Sequence, residues 1–149
     1  MATYPKTVKG SKLLIQLGDG SSPETFAAPC GLTTKGINFT GSANEFVIPS
    51  CDTPDAPVFV ARVIASLSAG VTGSGTLDST SLETWREWFL SGLEKNIRVK
   101  VDVAAANGGG YYEMSAVLTT FNITGNTGEL CQVEVEIQSA GAVEWVDAT

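Results

Sequence analysis

The sequence predicts a mainly β protein, built as a two-sheet β-sandwich or partly closed barrel with one flanking α-helix at about residues 81–91. Three observations predict this fold class. Apolar residues recur at every second position through residues 59–71, 97–103 and 131–138, which is the period of a β-strand. Glycine-rich turns separate these runs. A chain of 149 residues buries one sizeable core but seldom two, so we expect a single domain.

The first third of the chain predicts two short strands and a long loop. Residues 12–17 form an apolar run that ends at turn residues, and residues 33–40 form a second strand candidate. Three prolines in residues 41–57 exclude a central strand there, so this stretch is predicted as an extended irregular loop around the short apolar segment 46–48. A loop of this length in a compact domain usually has a function or reaches a neighbour.

One helix is predicted after the long alternating run. Thr80 and Glu83 have the spacing of a capping box, and Gly92 suits the left-handed residue that ends a helix. Helical spacing predicts one buried apolar stripe, and its members are Leu82, Trp85, Phe89 and Leu93. Trp88 lies off that stripe, so its exposure would indicate an interface.

The rest of the chain predicts a hairpin and a final strand. The glycines of residues 107–110 turn an alternating strand into the returning strand 111–124. Apolar residues change parity within that strand near Thr119 and Thr120, which predicts a β-bulge. In the final strand Glu134 and Glu136 lie opposite the apolar face.

Composition excludes several classes of function. The chain contains no histidine, which excludes Ser–His and Cys–His nucleophile pairs and every His-containing metal site. The chain has 9 Lys and Arg against 16 Asp and Glu, which gives a net charge of −7. This charge argues against a protein that binds the phosphate backbone of nucleic acids. We therefore expect neither an enzyme nor a cofactor. No apolar run approaches the roughly 20 residues that span a bilayer, so we expect no membrane partner.

Two further features of composition bear on partners. Only 17% of residues are charged, below the roughly 25% of an average soluble domain, which is typical of a surface rich in small polar residues or covered by a partner. Cys30, Cys51 and Cys131 are widely spaced and form no CxxC motif, so they predict free thiols, buried or half-buried, rather than a disulfide framework or a zinc site.

The order and spacing of five short segments indicate a relationship to a known family. The segments are SKLLIQLGDG at 11–20, PETF at 23–26, CGLTTKGI at 30–37, GVTGSGTL at 70–77 and WREWFLSG at 85–92. In this order and spacing the chain resembles the tail tube (major tail) proteins of long-tailed, siphovirus-like bacteriophages, of the kind also found in gene transfer agents. The resemblance covers most of the chain. It implies one tail-tube domain over residues 1–149, with an N-terminal arm (1–12), an extended loop (41–57) and a C-terminal tail (141–149).

The resemblance also implies a structural role in a virion tail assembled in the cytoplasm of a bacterial host. Six copies would form a ring whose inner sheets join into one barrel, and rings would stack through the arm and the loop. The tube would conduct double-stranded DNA from capsid to host without binding it specifically. Besides other copies of the chain, the implied partners are the tail terminator, distal tail and tape-measure proteins of the same tail.

The acidic balance suits a wall that repels phosphates, because attraction at every ring would stall passage of the DNA. Glu134 and Glu136 are the best candidates for lining the lumen, and Glu113 is a weaker one. An equally open hypothesis is that these carboxylates pair across strands with Arg98 and Lys100 on another face. Contacts between subunits are assigned to Lys6, Lys9, Phe46, Ile48, Trp88 and Trp145.

Three alternatives belong to other classes. A monomeric β-sandwich module that binds carbohydrate or another ligand would use Trp88, Tyr111 and Tyr112 as a stacking platform. A hydrolase would need a carboxylate-only mechanism in a deep acidic cleft. The tube protein of a contractile secretion system would share the fold and the hexamer.

Overall fold

The computed structural model describes residues 2–149, and Met1 of the predicted N-terminal arm lies outside the described residues. The elements are β1 (Leu13–Gly18), β2 (Phe26–Ala27), β3 (Leu32–Phe46), β4 (Ala61–Thr76), α1 (Ser79–Ser91), β5 (Lys95–Val101), β6 (Gly110–Thr124), β7 (Gln132–Ser139) and β8 (Glu144–Asp147). Within residues 2–149, no helix has both the length and the apolar character needed to cross a membrane.

The eight strands of residues 2–149 join one antiparallel sheet that does not close on itself. Its order is β2-β1-β5-β6-β7-β4-β3, and β8 pairs with β6 beside this path. Strand β7 pairs with β6 from Thr124 to Ala116, and β8 then pairs with β6 from Glu113 to Gly110. The predicted C-terminal tail is therefore a strand that continues the edge begun by β7.

The sheet folds over so that its two halves face each other. One half consists of β1, β5 and the start of β6, and the other consists of the end of β6 with β7, β4 and β3. Gly73 of β4 shows their contact, because an added Cβ would lie 3.5 Å from Ile15 Cδ1 of β1 in the other half. The predicted mainly β fold with two layers and one helix is confirmed.

The predicted β-bulge in β6 is confirmed by a register shift between Leu118 and Thr120. Before the shift Met114 and Leu118 are buried, and after it Phe121, of the opposite parity, packs against the same core. The core lies between the halves and against α1, and its buried members are Ile15, Leu17, Ala69, Val71, Trp85, Trp88, Ile97, Val99, Met114, Ala116, Leu118, Val133, Val135 and Ile137.

The predicted loop at residues 41–57 is wrong in its first part, because β3 continues to Phe46 and pairs there with Ala61. The prolines begin at Pro49, so they prevent strand pairing only beyond that point. The irregular segment between the two strands is residues 47–60.

The helix begins at a different residue from the one predicted, and it buries a different set of side chains. Asp78, not Thr80, is the N-cap, and it accepts hydrogen bonds from the amide of Thr80 at 3.3 Å and from its hydroxyl at 2.7 Å. Gly92 is the left-handed C-cap, as predicted, with φ of 66°. Because the chain leaves the helix there, Leu93 is 70% exposed instead of continuing the apolar stripe.

Phe89 of the predicted stripe is also largely exposed, and Trp88 is buried in its place. The Trp85 and Trp88 rings stack in the core, with their planes 20° from parallel and their centroids 6.0 Å apart. The prediction of buried or half-buried thiols is wrong too, since all three cysteines are exposed and free.

Replacing Asp78 with Ala is expected to lower the melting temperature by several degrees, because the orphan amides of the first helical turn lose their acceptor. Hydrogen bonds from the Thr80 and Ser81 hydroxyls hold the pKa of Asp78 below its ordinary value of 3.8. The ionised carboxylate therefore stabilises the fold above that pH, and its contribution disappears as the pH falls through the lowered pKa. Thermal unfolding followed by circular dichroism at pH 7 and at pH 2 measures both effects.

The matched control is Glu83→Ala, which removes the residue that a Thr80 capping box would need. It is expected to leave the melting temperature unchanged, because Thr80 directs its amide and hydroxyl to Asp78. An equal loss of stability in both variants would contradict the cap.

Candidate assembly surfaces

The outer face of the β3-β4-β7 half is polar, because each strand there alternates apolar residues toward the core with small polar residues outward. Register places Glu136 between Thr72 and Thr120 of the adjacent strands. We call this the polar face, and its members are Thr34, Asn38, Thr40, Ser68, Thr72, Ser74, Thr76, Thr120, Asn122, Thr124, Gln132, Glu134, Glu136 and Gln138. Its charged members are the two glutamates alone.

Neither glutamate of the polar face forms an ion pair with Arg98 or Lys100. The Arg98 guanidinium lies 3.7 Å from Glu113, and the Lys100 ammonium lies 3.7 Å from Asp102. Thr120 Oγ1 donates a 3.3 Å hydrogen bond to the Glu136 carboxylate. The hypothesis that Glu134 and Glu136 pair across strands with those two cations is therefore wrong, because the cations lie on β5 and have other partners.

Glu113 lies on the other outer face, in the part of β6 that precedes the bulge. Its partner Arg98 is held between two rings, with its guanidinium carbon 3.8 Å from the Phe26 centroid and 4.4 Å from that of Tyr111. The Arg98 Nε atom is buried and has no hydrogen-bond partner among the described residues. Because the two halves bury their core faces against each other, Glu113 does not share a surface with Glu134 and Glu136.

The paired ends of β3 and β4 project from the sheet as an arm. Strand β7 stops at Ser139, whose hydroxyl accepts the Ala69 amide at 2.9 Å, and beyond that point β3 and β4 pair only with each other. We call residues 41–46 and 61–67 with the intervening loop 47–60 the hairpin arm. A two-stranded ribbon of this kind is marginally stable unless it is packed against something else.

The hairpin arm exposes many apolar side chains, and they are Phe46, Val47, Ile48, Phe59, Val60, Val63, Ile64 and Leu67. Phe59 is fully exposed and Leu67 is 80% exposed. Such a concentration of exposed apolar side chains on one hairpin is rare on a monomeric protein and marks an interaction site. The predicted contact residues Phe46 and Ile48 lie here, but sequence reasoning missed Val63, Ile64 and Leu67. The sequence does indicate them, because apolar residues occur at both odd and even positions of residues 59–67, so both faces of the strand carry apolar side chains.

The predicted aromatic platform does not form, because its three members occupy different environments. Trp88 is 5% exposed, and its indole N–H donates to the Leu93 carbonyl at 3.1 Å, so it lacks the exposure that an interface assignment required. Tyr111 stacks on Arg98. Tyr112 packs between Phe39 and Trp145, with ring centroids 5.2 and 4.7 Å away.

The N-terminal arm is shorter than predicted. Residues 2–9 are exposed and pair with no strand, and Lys6 and Lys9 lie in this part. Residues Gly10–Lys12 form a short 3-10 turn, and the Lys12 carbonyl accepts the Asp102 amide at 2.8 Å. The arm is therefore anchored at the start of β1. Within residues 2–149, no group of three or more Cys, Asp and Glu side chains is placed to hold a metal ion.

Comparison with known proteins gives a family and a fold. The family model described as phage tail tube protein matches residues 7–145. No curated protein sequence matches the chain. Among solved structures, the tail of an empty GTA particle with C6 symmetry is similar with a TM-score of 0.78 and 20% identity, covering 94% of this chain and 99% of that chain.

Two further solved structures share the fold. The virion of a native gene transfer agent particle matches with a TM-score of 0.72 and 20% identity, covering 94% of this chain and 99% of that chain. The SPP1 tail tube, a hybrid solid-state NMR and cryo-EM structure, matches with a TM-score of 0.68 and 8% identity, covering 95% of this chain and 80% of that chain.

Replacing Leu67 with Ser is expected to change the free energy of unfolding by less than about 0.5 kcal/mol, because the side chain is already exposed. The same variant is expected to reduce self-association, which sedimentation velocity measures. The control Ile137→Val, in the core, is expected to cost about 1 kcal/mol in urea unfolding. A large loss of stability in Leu67→Ser would show that the hairpin arm packs within its own chain.

Proposed function

This chain belongs to the phage tail tube protein family, and we propose that it polymerises as stacked hexameric rings into a conduit for double-stranded DNA. The tube would lie in the tail of a virion, assembled in the cytoplasm of a bacterial host, and would lead from the capsid to the host. The family is a structural one, so the protein acts through its surfaces and not through a catalytic site.

The observation that carries the proposal is the free edge of the unclosed sheet. Strand β3 has 15 residues, and β4 is its one partner among the described strands. A long unpaired edge templates pairing with another chain, and closed rings are one way of leaving no edge exposed. Pairing of unlike edges between copies is a head-to-tail contact, which generates a ring when the rotation closes. The C6 symmetry of the similar GTA tail supports six copies.

The hairpin arm supports a second contact between copies. Phe46 lies on β3 and Val63, Ile64 and Leu67 lie on β4, the strand next to it, so a neighbour that pairs with the free edge of β3 and packs on the hairpin arm would cover them. Removing such a surface from water contributes roughly 25 cal/mol for each Å² of apolar area buried. The same covering would explain how a surface with so few charges stays soluble after assembly.

The polar face is the surface that suits a lumen. It carries two carboxylates and no Lys or Arg, and it is otherwise built from hydroxyl, amide and glycine positions. A ring of such faces would surround DNA with negative potential, which repels phosphates instead of holding them. We therefore propose Glu134 and Glu136 as lumen-lining residues, whereas Glu113 is neutralised by Arg98 on the other outer face.

The remaining partners follow from the proposed tube. Each end of a stack leaves one ring surface uncovered, and we propose that the tail terminator and distal tail proteins cover these ends. The tape-measure protein would occupy the lumen during assembly, against the same polar face that DNA later passes.

Self-assembly is tested with the purified full-length chain by size-exclusion chromatography and negative-stain electron microscopy. Rings or tubes are expected, with their proportion rising with protein concentration. A chain that stays monomeric at every concentration would contradict the proposed function.

The lumen assignment is tested with Glu134→Lys combined with Glu136→Lys. Tubes are expected to form, because both side chains are exposed and unpaired, but the variant tubes should retain linear double-stranded DNA at low salt. Wild-type tubes should not retain it. Co-sedimentation of DNA with the tubes at increasing salt measures the difference.

The matched control carries the same change of charge elsewhere, at Glu83→Lys and Glu129→Lys, and should retain no more DNA than the wild type. Equal retention by both variants would contradict the assignment. So would a cryo-EM map in which Glu134 and Glu136 face the outside of the tube.

A further inference from the structure

A groove of about 730 Å³ lies at the end of β1, away from the N-terminal arm. The turn after β1 forms one wall, and one side of α1 along its length, together with the start of β5, forms the other. The apolar residues exposed along it are Leu93, which is 70% exposed, and residues 27–29, whereas Leu17 and Trp88 lie at its base and are almost fully buried. A groove of this size is within the range that buries most of a bound ligand's surface.

The rim of this groove is acidic. Asp19, Glu24, Glu87 and Glu94 line it, against the single cation Lys95. Within residues 2–149 the ion pairs use Glu45, Glu113 and Asp102, so the four groove carboxylates are not neutralised by this chain's own cations.

Hydrogen bonds hold several of these carboxylates in place. Glu24 accepts from the Gly20 amide and from Asn96 Nδ2, each at 2.9 Å, and Glu94 accepts from the Ser115 hydroxyl at 2.9 Å. Bonds from Ser21 lower the pKa of Asp19 to about 2, so this rim carboxylate stays charged in any ordinary buffer. The groove therefore presents a fixed negative rim around an apolar floor.

The N-terminal arm has the complementary chemistry. Residues 2–9 carry Lys6 and Lys9 and no acidic residue. Tyr4 is 81% exposed and Val8 is 46% exposed, so both apolar side chains are available to a partner. In an extended segment Tyr4, Lys6 and Val8 point to one side, which would place two apolar contacts around one cation.

We infer that this groove receives the N-terminal arm of a second copy of this chain, an assignment that rests on the proposed stacking of rings. The arm would turn Tyr4, Lys6 and Val8 into the groove, with the two apolar side chains against its apolar residues and Lys6 against its carboxylates, while Lys9 on the other side would meet a carboxylate at the rim. The arm supplies the positive charges that would neutralise the groove carboxylates, and its apolar side chains would cover the apolar residues of the groove.

The length of the N-terminal arm favours docking in the groove of another copy over docking in the groove of its own chain. Residues 2–9 span at most about 28 Å when fully extended. The arm begins before β1 and the groove lies after it, and the six residues of β1 rise about 20 Å in all. An arm that folded back would use most of its length on the return, so Val8 and Lys9 could not enter the groove. In a copy stacked end-on, the anchor of the arm lies beside the groove of its neighbour.

A contact between opposite ends of β1 is head-to-tail, and along the axis of a stack of rings it repeats without closing. It would therefore add rings one after another in a single direction. A reciprocal contact, in which each of two copies inserts its arm into the other, would stop at pairs.

The test is a disulfide cross-link in the assembled full-length protein. The exposed Cys30, Cys51 and Cys131 are replaced by Ser, and Tyr4→Cys is combined with Leu93→Cys. After mild oxidation of the tubes, a non-reducing gel is expected to show a ladder of oligomers. The control pairs Tyr4→Cys with Leu90→Cys, because Leu90, in the last turn of α1 and three residues from Leu93, is 75% exposed but does not line the groove. It should give no ladder.

Several outcomes would overturn the inference. A fast-migrating monomer would mean that the arm occupies its own groove, dimers alone would mean a reciprocal contact, and tubes without a ladder would mean that the arm docks elsewhere. Absence of rings and tubes from the wild-type chain would instead contradict the proposed function.

A charge exchange gives independent evidence. Glu87→Lys with Glu94→Lys should leave single rings but abolish long tubes in negative stain, and adding Lys6→Glu with Lys9→Glu should restore them. The pair Glu83→Lys and Glu129→Lys, outside the groove, should leave tube length unchanged. Failure of the exchange to restore tubes, with rings intact, would overturn the charge pairing.

Discussion

The structure depends on one strand that serves both layers. β6 pairs with β5 over its first half and with β7 over its second, and the bulge near Thr119 lies between the two. Without the extra residue, Phe121 would point outward, and the apolar face of β6 would end at the middle of the strand. The bulge keeps the apolar residues of both halves facing the same core while the sheet turns over on itself.

This folding of the sheet buries one of its faces but leaves its edge strands unpaired on one side. The two halves fold together without pairing β3 to the opposite edge, and the hairpin arm extends past the last strand that could support it. Exposed apolar side chains then collect where the sheet stops, at the hairpin arm, whereas the polar face stays free of them. The fold therefore buries a core but leaves an unpaired strand edge and exposed apolar side chains, and the proposed polymerisation rests on these two features.

Local signals in the sequence predicted most of the strands, because alternation and turn residues act within a few positions of each other. The parity change near Thr119 predicted the bulge for the same reason. The end of β3 was missed because the prolines lie beyond Phe46 while its pairing partner lies 15 residues further on. The helical stripe was misjudged because Gly92 ends the helix before Leu93. No local pattern places Arg98 between Phe26 and Tyr111, or brings the turn after β1 to the end of α1, since those contacts depend on how the sheet folds over.

The charges of the subunit differ between its two ends, although its net charge is acidic. The N-terminal arm is basic, and it leaves one end of β1, while a carboxylate-rimmed groove lies at the other end. The net charge of −7 is thus unevenly distributed, with unlike charges at the two ends and two unpaired glutamates on the polar face. Unlike charges at opposite ends favour stacking in one orientation and disfavour the reversed one, where like charges would meet. A tube built this way has two chemically different ends, one presenting arms and the other presenting grooves. The proteins that close the two ends of such a tube would therefore need different surfaces, an acidic one for the arms and a basic one for the grooves.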